Sequence, residues 1–83
     1  MLSVIIPALN EEKTIGHVVK FCLADPNVSE VIVVDDTSED TTASIAEAAG
    51  AKVIVSAARG KGISMKEGIE AATNEIVVFL DAD

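Results

Sequence analysis

Four short apolar runs, at residues 2–6, 31–34, 52–55 and 76–80, recur along this 83-residue chain, each rich in valine, isoleucine or leucine and each closed by Pro7, Asp35, Ser56 or Asp81. Runs of this length, bounded by turn residues, read as strands buried on both faces. The last, Ile76-Val77-Val78-Phe79-Leu80, stops at Asp81-Ala82-Asp83. Side chains alternate along a strand, so Asp81 and Asp83 share one side and Ala82 takes the other. Two such neighbouring carboxylates repel unless a cation lies between them, and a divalent metal with oxygen ligands answers that need.

Helical patterns separate the runs. Ile15, Val18, Val19, Cys22 and Leu23 follow the i, i+3, i+4, i+7, i+8 spacing of a one-sided helix that ends near Pro26. Asn10 is its expected N-cap, with Glu11 and Glu12 in the first turn, and Pro7 is expected to end the strand before it. A second helix runs from Thr42 to Ala49, with Gly50 just past its end. A third is expected over residues 63–72 despite Gly68, which costs about 1 kcal/mol of propensity. The order β-α-β-α-β-α-β allows only parallel strands, and right-handed crossovers then give a three-layer, doubly wound, Rossmann-like α/β half-sheet, for which 3-2-1-4 is the preferred strand order.

In open sheets of this type ligands bind beyond the carboxyl ends of the strands, at the switch point, here between the first and fourth strands. Eight of the 14 acidic residues, including Glu11, Glu12, Asp35, Asp36, Asp81 and Asp83, follow strand ends. Glu39 and Asp40, beside Thr37 and Ser38, read as turn and cap residues. The turn after the first strand has no glycine and two acids, which argues against a dinucleotide site, and Gly60-Lys61-Gly62 lacks P-loop spacing. A net charge of −8 argues against nucleic acid or an anionic membrane as partner. No run approaches the ~20 residues of a membrane span, and the start lacks signal-peptide layout, so a soluble, cytoplasmic chain is expected. Cys22, the single cysteine, falls on the apolar helix face and is expected to be a buried structural thiol. His17, off that face, is expected to be solvated.

The strings Ser3-Val4-Ile5-Ile6-Pro7-Ala8-Leu9-Asn10-Glu11-Glu12, Val33-Val34-Asp35-Asp36-Thr37-Ser38-Glu39-Asp40 and Phe79-Leu80-Asp81-Ala82-Asp83 together resemble the nucleotide-sugar-binding half of GT-A glycosyltransferases of the family 2 type. The Pro-Ala-Leu-Asn-Glu-Glu string, with Gly60-Lys61-Gly62 and Asp-Ala-Asp, is also similar to glucosyl-3-phosphoglycerate synthases. The resemblance implies that Pro7, Ala8, Leu9, Asn10 and Glu11 wrap the base and ribose of a UDP- or GDP-linked sugar. It further implies that Asp35 or Asp36 hydrogen-bonds the base or ribose, that Lys61 lies near the phosphates, and that Asp81 and Asp83 bind Mn²⁺ or Mg²⁺.

Residues 1–83 would then be one nucleotide-sugar-binding unit, with the acceptor-binding half of the family outside this sequence. The family carries Asp-Gly-Ser where this chain has Asp36-Thr37-Ser38, so a left-handed turn is expected to give way to a stiffer one. A second reading is a non-catalytic α/β module acting through partner binding or self-association. A bare fourth strand invites pairing, so a homo-oligomer through that edge is expected.

Overall fold

The structure is a computed structural model that describes residues 1–56 and 61–80, with the side chains of 61–64 outside the description. Its elements run β1 (Leu2–Ala8), α1 (Ile15–Leu23), β2 (Val28–Asp35), α2 (Thr42–Ala49), β3 (Lys52–Val55), α3 (Lys61–Ala71) and β4 (Ile76–Phe79). The four strands form one parallel sheet in the order β3-β2-β1-β4.

Strand alternation divides the core into two layers. Val4, Ile6, Ala8, Val31 and Val33 point to the face covered by α1 and α2, where they meet Ile15, Val19, Cys22 and Ala46. Ile5, Ile32 and Val34 point to the opposite face, against Ile54, Ala71, Ala72 and Val77, under α3. Each fully buried isoleucine or valine contributes roughly 1.5–3 kcal/mol relative to an exposed one. The helix between Thr42 and Ala49 ends as its sequence implies: Gly50 adopts φ 112°, and the Ala51 N–H returns to the Ala46 carbonyl. A side chain at Gly50 would also meet Leu23 Cδ1 at 2.9 Å, so this glycine seats α2 beside the end of α1.

Three local expectations are corrected. Pro7 does not end β1 but pairs within it, opposite Val34. The Leu80 N–H bonds the Ile5 carbonyl and the Asp36 N–H bonds the Ala8 carbonyl, so alternate residues of β1 address β4 and β2 in turn. Pro7 therefore turns its donor-less nitrogen toward the β4 side, beyond the last β1–β4 pair at Ile5 and Phe79, where no ladder bond is lost.

Asn10 is not a helix cap. It sits in the left-handed region with φ 53°, residues 9–14 form turns, and α1 begins after Thr14. The turn is closed by the Glu11 carbonyl, which accepts the N–H groups of Thr14 and Ile15.

β4 is not buried on both faces. Ile76 is 58%, Val78 41% and Phe79 38% exposed, because β4 pairs only with β1 and is an edge of the sheet.

β2 also starts earlier than its apolar run, because Ser29 and Glu30 join it through polar contacts. Glu30 Oε1 accepts hydrogen bonds from Ser3 Oγ and the Thr73 N–H, each at 2.7 Å, and Glu30 Oε2 accepts from Thr73 Oγ1 at 2.8 Å. Asn74 Nδ2 donates to Ser3 Oγ at 2.9 Å. This cluster ties the connection between α3 and β4 to β1 and β2 at the end of the sheet opposite the strand carboxyl termini.

Partial burial pushes the Glu30 carboxyl upward, but the hydrogen bonds from Ser3 and Thr73 and the Lys52 charge outweigh it, leaving its pKa below the ordinary glutamate value. A carboxyl with a depressed folded pKa stabilises the fold above its unfolded value, and that contribution is lost as pH falls through the folded one. Thermal midpoints measured across mildly acidic pH should accordingly decline in the wild type, and decline less steeply in Glu30→Gln. Parallel pH profiles for the two proteins would refute this assignment.

Candidate functional site

The carboxyl ends of the strands bring the acidic segments together on one edge, and the strand order reverses between β1 and β4. Pro7 is half-buried and Ala8 buried at the end of β1; Leu9 and Asn10 are exposed and Glu11 is half-buried. Asp35 is 4% exposed and belongs to β2, while Asp36 is half-buried one residue beyond it. The Leu80 N–H is held by the Ile5 carbonyl at 3.0 Å, so the last described residue of the β4 segment lies beside β1 at the switch point. Asp81, Ala82 and Asp83 lie outside the described residues, as does the side chain of Lys61, the first residue of α3. Among the described residues no group of three metal-ligating side chains is present.

The loops after β1 and β2 are bound to each other along their length. The Asn10 N–H donates to Ser38 Oγ at 2.9 Å, and the Glu39 N–H donates to Asn10 Oδ1 at 2.8 Å. The Glu11 N–H donates to Thr42 Oγ1 at 2.8 Å, and Thr41 Oγ1 donates to Glu12 Oε1 at 2.7 Å. Asp40 Oδ1 accepts from the N–H and the hydroxyl of Thr42, and Asp40 Oδ2 accepts from the Glu12 N–H. The Thr42 hydroxyl is the main cause holding the Asp40 carboxyl below its ordinary pKa. Asp40 thus serves as the turn residue its position implied, the N-cap position of α2 falling to Thr41, and Thr42 is fully buried between the two loops.

Asp35 is committed within its own turn, where its Oδ1 accepts the Ser38 N–H at 3.2 Å and the Ser38 hydroxyl. That geometry turns the Asp35 side chain toward the loop and leaves Asp36 as the acid one position nearer the edge. Thr37 keeps a left-handed turn, with φ 56°, where a stiffer turn was expected to replace it. A β-branched residue in that region costs on the order of 1–2 kcal/mol, so the surrounding bonds must hold it there. Ser38 and Thr42 carried no local signal as loop-to-loop partners, since their contacts with Asn10 and Glu11 span 28 and 31 residues. Only their cap chemistry was legible.

Cys22 lies away from this edge, buried under α1, where burial and then the nearby Asp25 charge raise its thiol pKa. His17 is exposed on α1. No described helix is long and apolar enough to cross a membrane.

A parallel sheet in the order β3-β2-β1-β4 is shared with glycosyltransferases of the GT-A fold. The chain belongs to glycosyl transferase family 2, whose sequence profile matches residues 3–83. It is 41% identical over 92 aligned residues to glucosyl-3-phosphoglycerate synthase of Mycolicibacterium smegmatis, covering 99% of this chain and 30% of that protein. An uncharacterized glycosyltransferase of Mycobacterium tuberculosis is 39% identical over 82 residues, 36% of its own length. Glucosyl-3-phosphoglycerate synthase from Mycobacterium tuberculosis, solved with Mn²⁺, uridine diphosphate and glucosyl-3-phosphoglycerate, superposes with a TM-score of 0.89 at 38% identity. That match covers 100% of this chain and 33% of the other. The same relative has been solved with Mn²⁺, UDP-glucose and phosphoglyceric acid, and also with uridine diphosphate alone. The chain therefore spans about a third of the length of the relatives it matches.

Proposed function

We propose that this chain is the donor-binding unit of a glycosyltransferase: it binds a UDP-linked sugar with a divalent metal, for transfer of the sugar to an acceptor. The observation that carries the reading is the likeness over the whole chain, at 38% identity, to a protein solved with Mn²⁺ and UDP-glucose. Under this reading Pro7, Ala8, Leu9, Asn10 and Glu11 enclose the nucleoside, and Asp35 or Asp36 hydrogen-bonds its base or ribose. Lys61 approaches the phosphates. Asp81 and Asp83 supply hard oxygen donors that suit Mn²⁺ or Mg²⁺. The donor chemistry fits: two carboxylates follow β4 in the sequence, and the edge is too acidic for a diphosphate without a cation.

When bound, such a cation would offset the charge of the departing nucleoside diphosphate. The chain's own residues would orient the nucleoside and set the position of the diphosphate. Calorimetric titration of UDP and of GDP, each with and without Mn²⁺, tests the reading. UDP should bind more tightly than GDP, and failure of both nucleotides to bind with metal would sink it.

The exposure of β4 supports a second element of the proposal, self-association through this edge. Because Leu80 addresses β1, Val77 and Phe79 turn their backbone groups outward. Beside them lies an apolar groove of about 420 Å³, lined by Leu2, Val4, Phe21, Cys22, Val78 and Leu80 among others. Two copies meeting antiparallel through β4 would satisfy each other's outward groups and cover Phe21, which is 77% exposed. Light scattering at micromolar concentration should report a dimer or larger; a monomer mass would refute it.

A further inference from the structure

The β1–α1 and β2–α2 loops each hold one non-glycine residue in the left-handed region, Asn10 at φ 53° and Thr37 at φ 56°. Asparagine adopts this conformation at modest cost, threonine does not. Strained residues of this kind persist only where their surroundings over-determine them. Here the surroundings are the other loop.

The Asn10 N–H donates to Ser38 Oγ, and the Glu39 N–H, two residues past Thr37, donates back to Asn10 Oδ1. Ser38 is in turn anchored through its own N–H and hydroxyl on Asp35, which is buried at the end of β2. A continuous path of hydrogen bonds thus runs from the rigid sheet, through Asp35 and Ser38, to the tip of the loop after β1.

We propose that Asn10 and Ser38 are positioning residues for the nucleoside, clamping the two loops in their binding shape before ligand arrives. This rests on the donor-binding reading and gives Asn10 a specific part in it. Both the N–H and the Oδ1 of Asn10 are engaged with the opposite loop, so Asn10 acts through the shape it imposes on Leu9 and Glu11. Binding to an already ordered loop avoids the loss of affinity that follows when only a fraction of molecules is competent.

The clamp is separable from the fold. On its sheet side the loops are joined by the Asp36 N–H to Ala8 carbonyl bond at 2.8 Å, and on its helix side by Glu11 with Thr42 and Glu12 with Thr41. Removing the Asn10–Ser38 link loosens the tip and leaves both flanks in place.

The test uses the 83-residue chain, UDP as probe, and the variants Asn10→Gly, Ser38→Ala and Ser38→Thr. Glycine keeps the left-handed backbone and removes the Oδ1 acceptor with the rest of the side chain, while threonine restores the hydroxyl that alanine removes. Asn10→Gly and Ser38→Ala are expected to weaken UDP binding about tenfold, with Ser38→Thr returning to within about threefold of wild type.

Amide exchange at Glu39 should be slow in the wild type with or without UDP. In Ser38→Ala it should be fast in the free chain and slowed by UDP, the signature of a loop that the ligand now has to order. Wild-type affinity in Asn10→Gly and Ser38→Ala, or unaltered Glu39 exchange in Ser38→Ala, would overturn the clamp alone. Absence of UDP binding by the wild type would overturn the donor-binding reading and the clamp's role together.

Discussion

Replacing Gly68 by valine is expected to lower the thermal midpoint by on the order of 15 °C, from a loss of about 3 kcal/mol in a domain of this size. The cause is a close approach of α3 to the sheet. A Cβ at Gly68 would lie 2.4 Å from Ile5 Cγ2, 3.1 Å from Cδ1 and 3.3 Å from Cγ1. Ile5 is fully buried in the central strand β1, and its Cγ2 is a branch methyl one bond from Cβ, stiff at χ1. It cannot swing aside as the end of a lysine could.

Gly68→Ala provides a test of sign. Helix propensity alone says that alanine at this position stabilises by about 1 kcal/mol. The contact says that it destabilises, since overpacking a core costs typically 1–3 kcal/mol. The net expectation is a modest loss, and a raised midpoint would refute the contact. Combining Gly68→Ala with Ile5→Ala, which removes the obstructing methyl, should make the alanine neutral or stabilising in that background. Additive effects would show that the two positions are uncoupled.

The second large effect concerns the metal. Mn²⁺ is expected to tighten UDP binding by roughly a hundredfold, about 2.7 kcal/mol. Asp81→Ala with Asp83→Ala should remove that enhancement and leave the metal-free affinity in place. The reason is charge: UDP must bring its diphosphate to an edge that carries Glu11, Asp35 and Asp36 in a chain of net charge −8. Without a cation the phosphates meet like charge, whereas the nucleoside meets only the loops after β1 and β2. The same partition predicts that a chelator reproduces the double variant in the wild type. Equal response to Mn²⁺ in both proteins would rule out the carboxylate pair as its site.

The apolar groove lies beneath α1, beside the amino-terminal half of β1, and extends along β4 to Leu80. The clamp between Asn10 and Ser38 belongs to the opposite end of the molecule from the Glu30 cluster. The pH dependence of folding should therefore change with Glu30→Gln and not with Ser38→Ala.

Much of the architecture was written locally. The β-branched runs and the one-sided spacing of Ile15, Val19 and Cys22 determine strands, helices and a parallel sheet, because period and burial are properties of short segments. Gly50 declared its left-handed cap.

Other features depended on partners distant in the chain. Pro7 stays in β1 because the missing donor faces a point past the end of the β1–β4 ladder. Asn10 leaves its expected cap role because Ser38 and Glu39 lie opposite it. Gly68 reads from sequence as a weak point in a helix and in the fold as the place where α3 touches Ile5. Sequence by itself determined a parallel, doubly wound sheet and the acids that follow its strands, since these come from element order, crossover handedness and the residues after each apolar run. Tertiary structure decided which acid is spent on its own turn, which backbone is strained and which loops hold each other. Those outcomes are set by hydrogen bonds and contacts between segments about thirty or more residues apart, for which no local pattern exists.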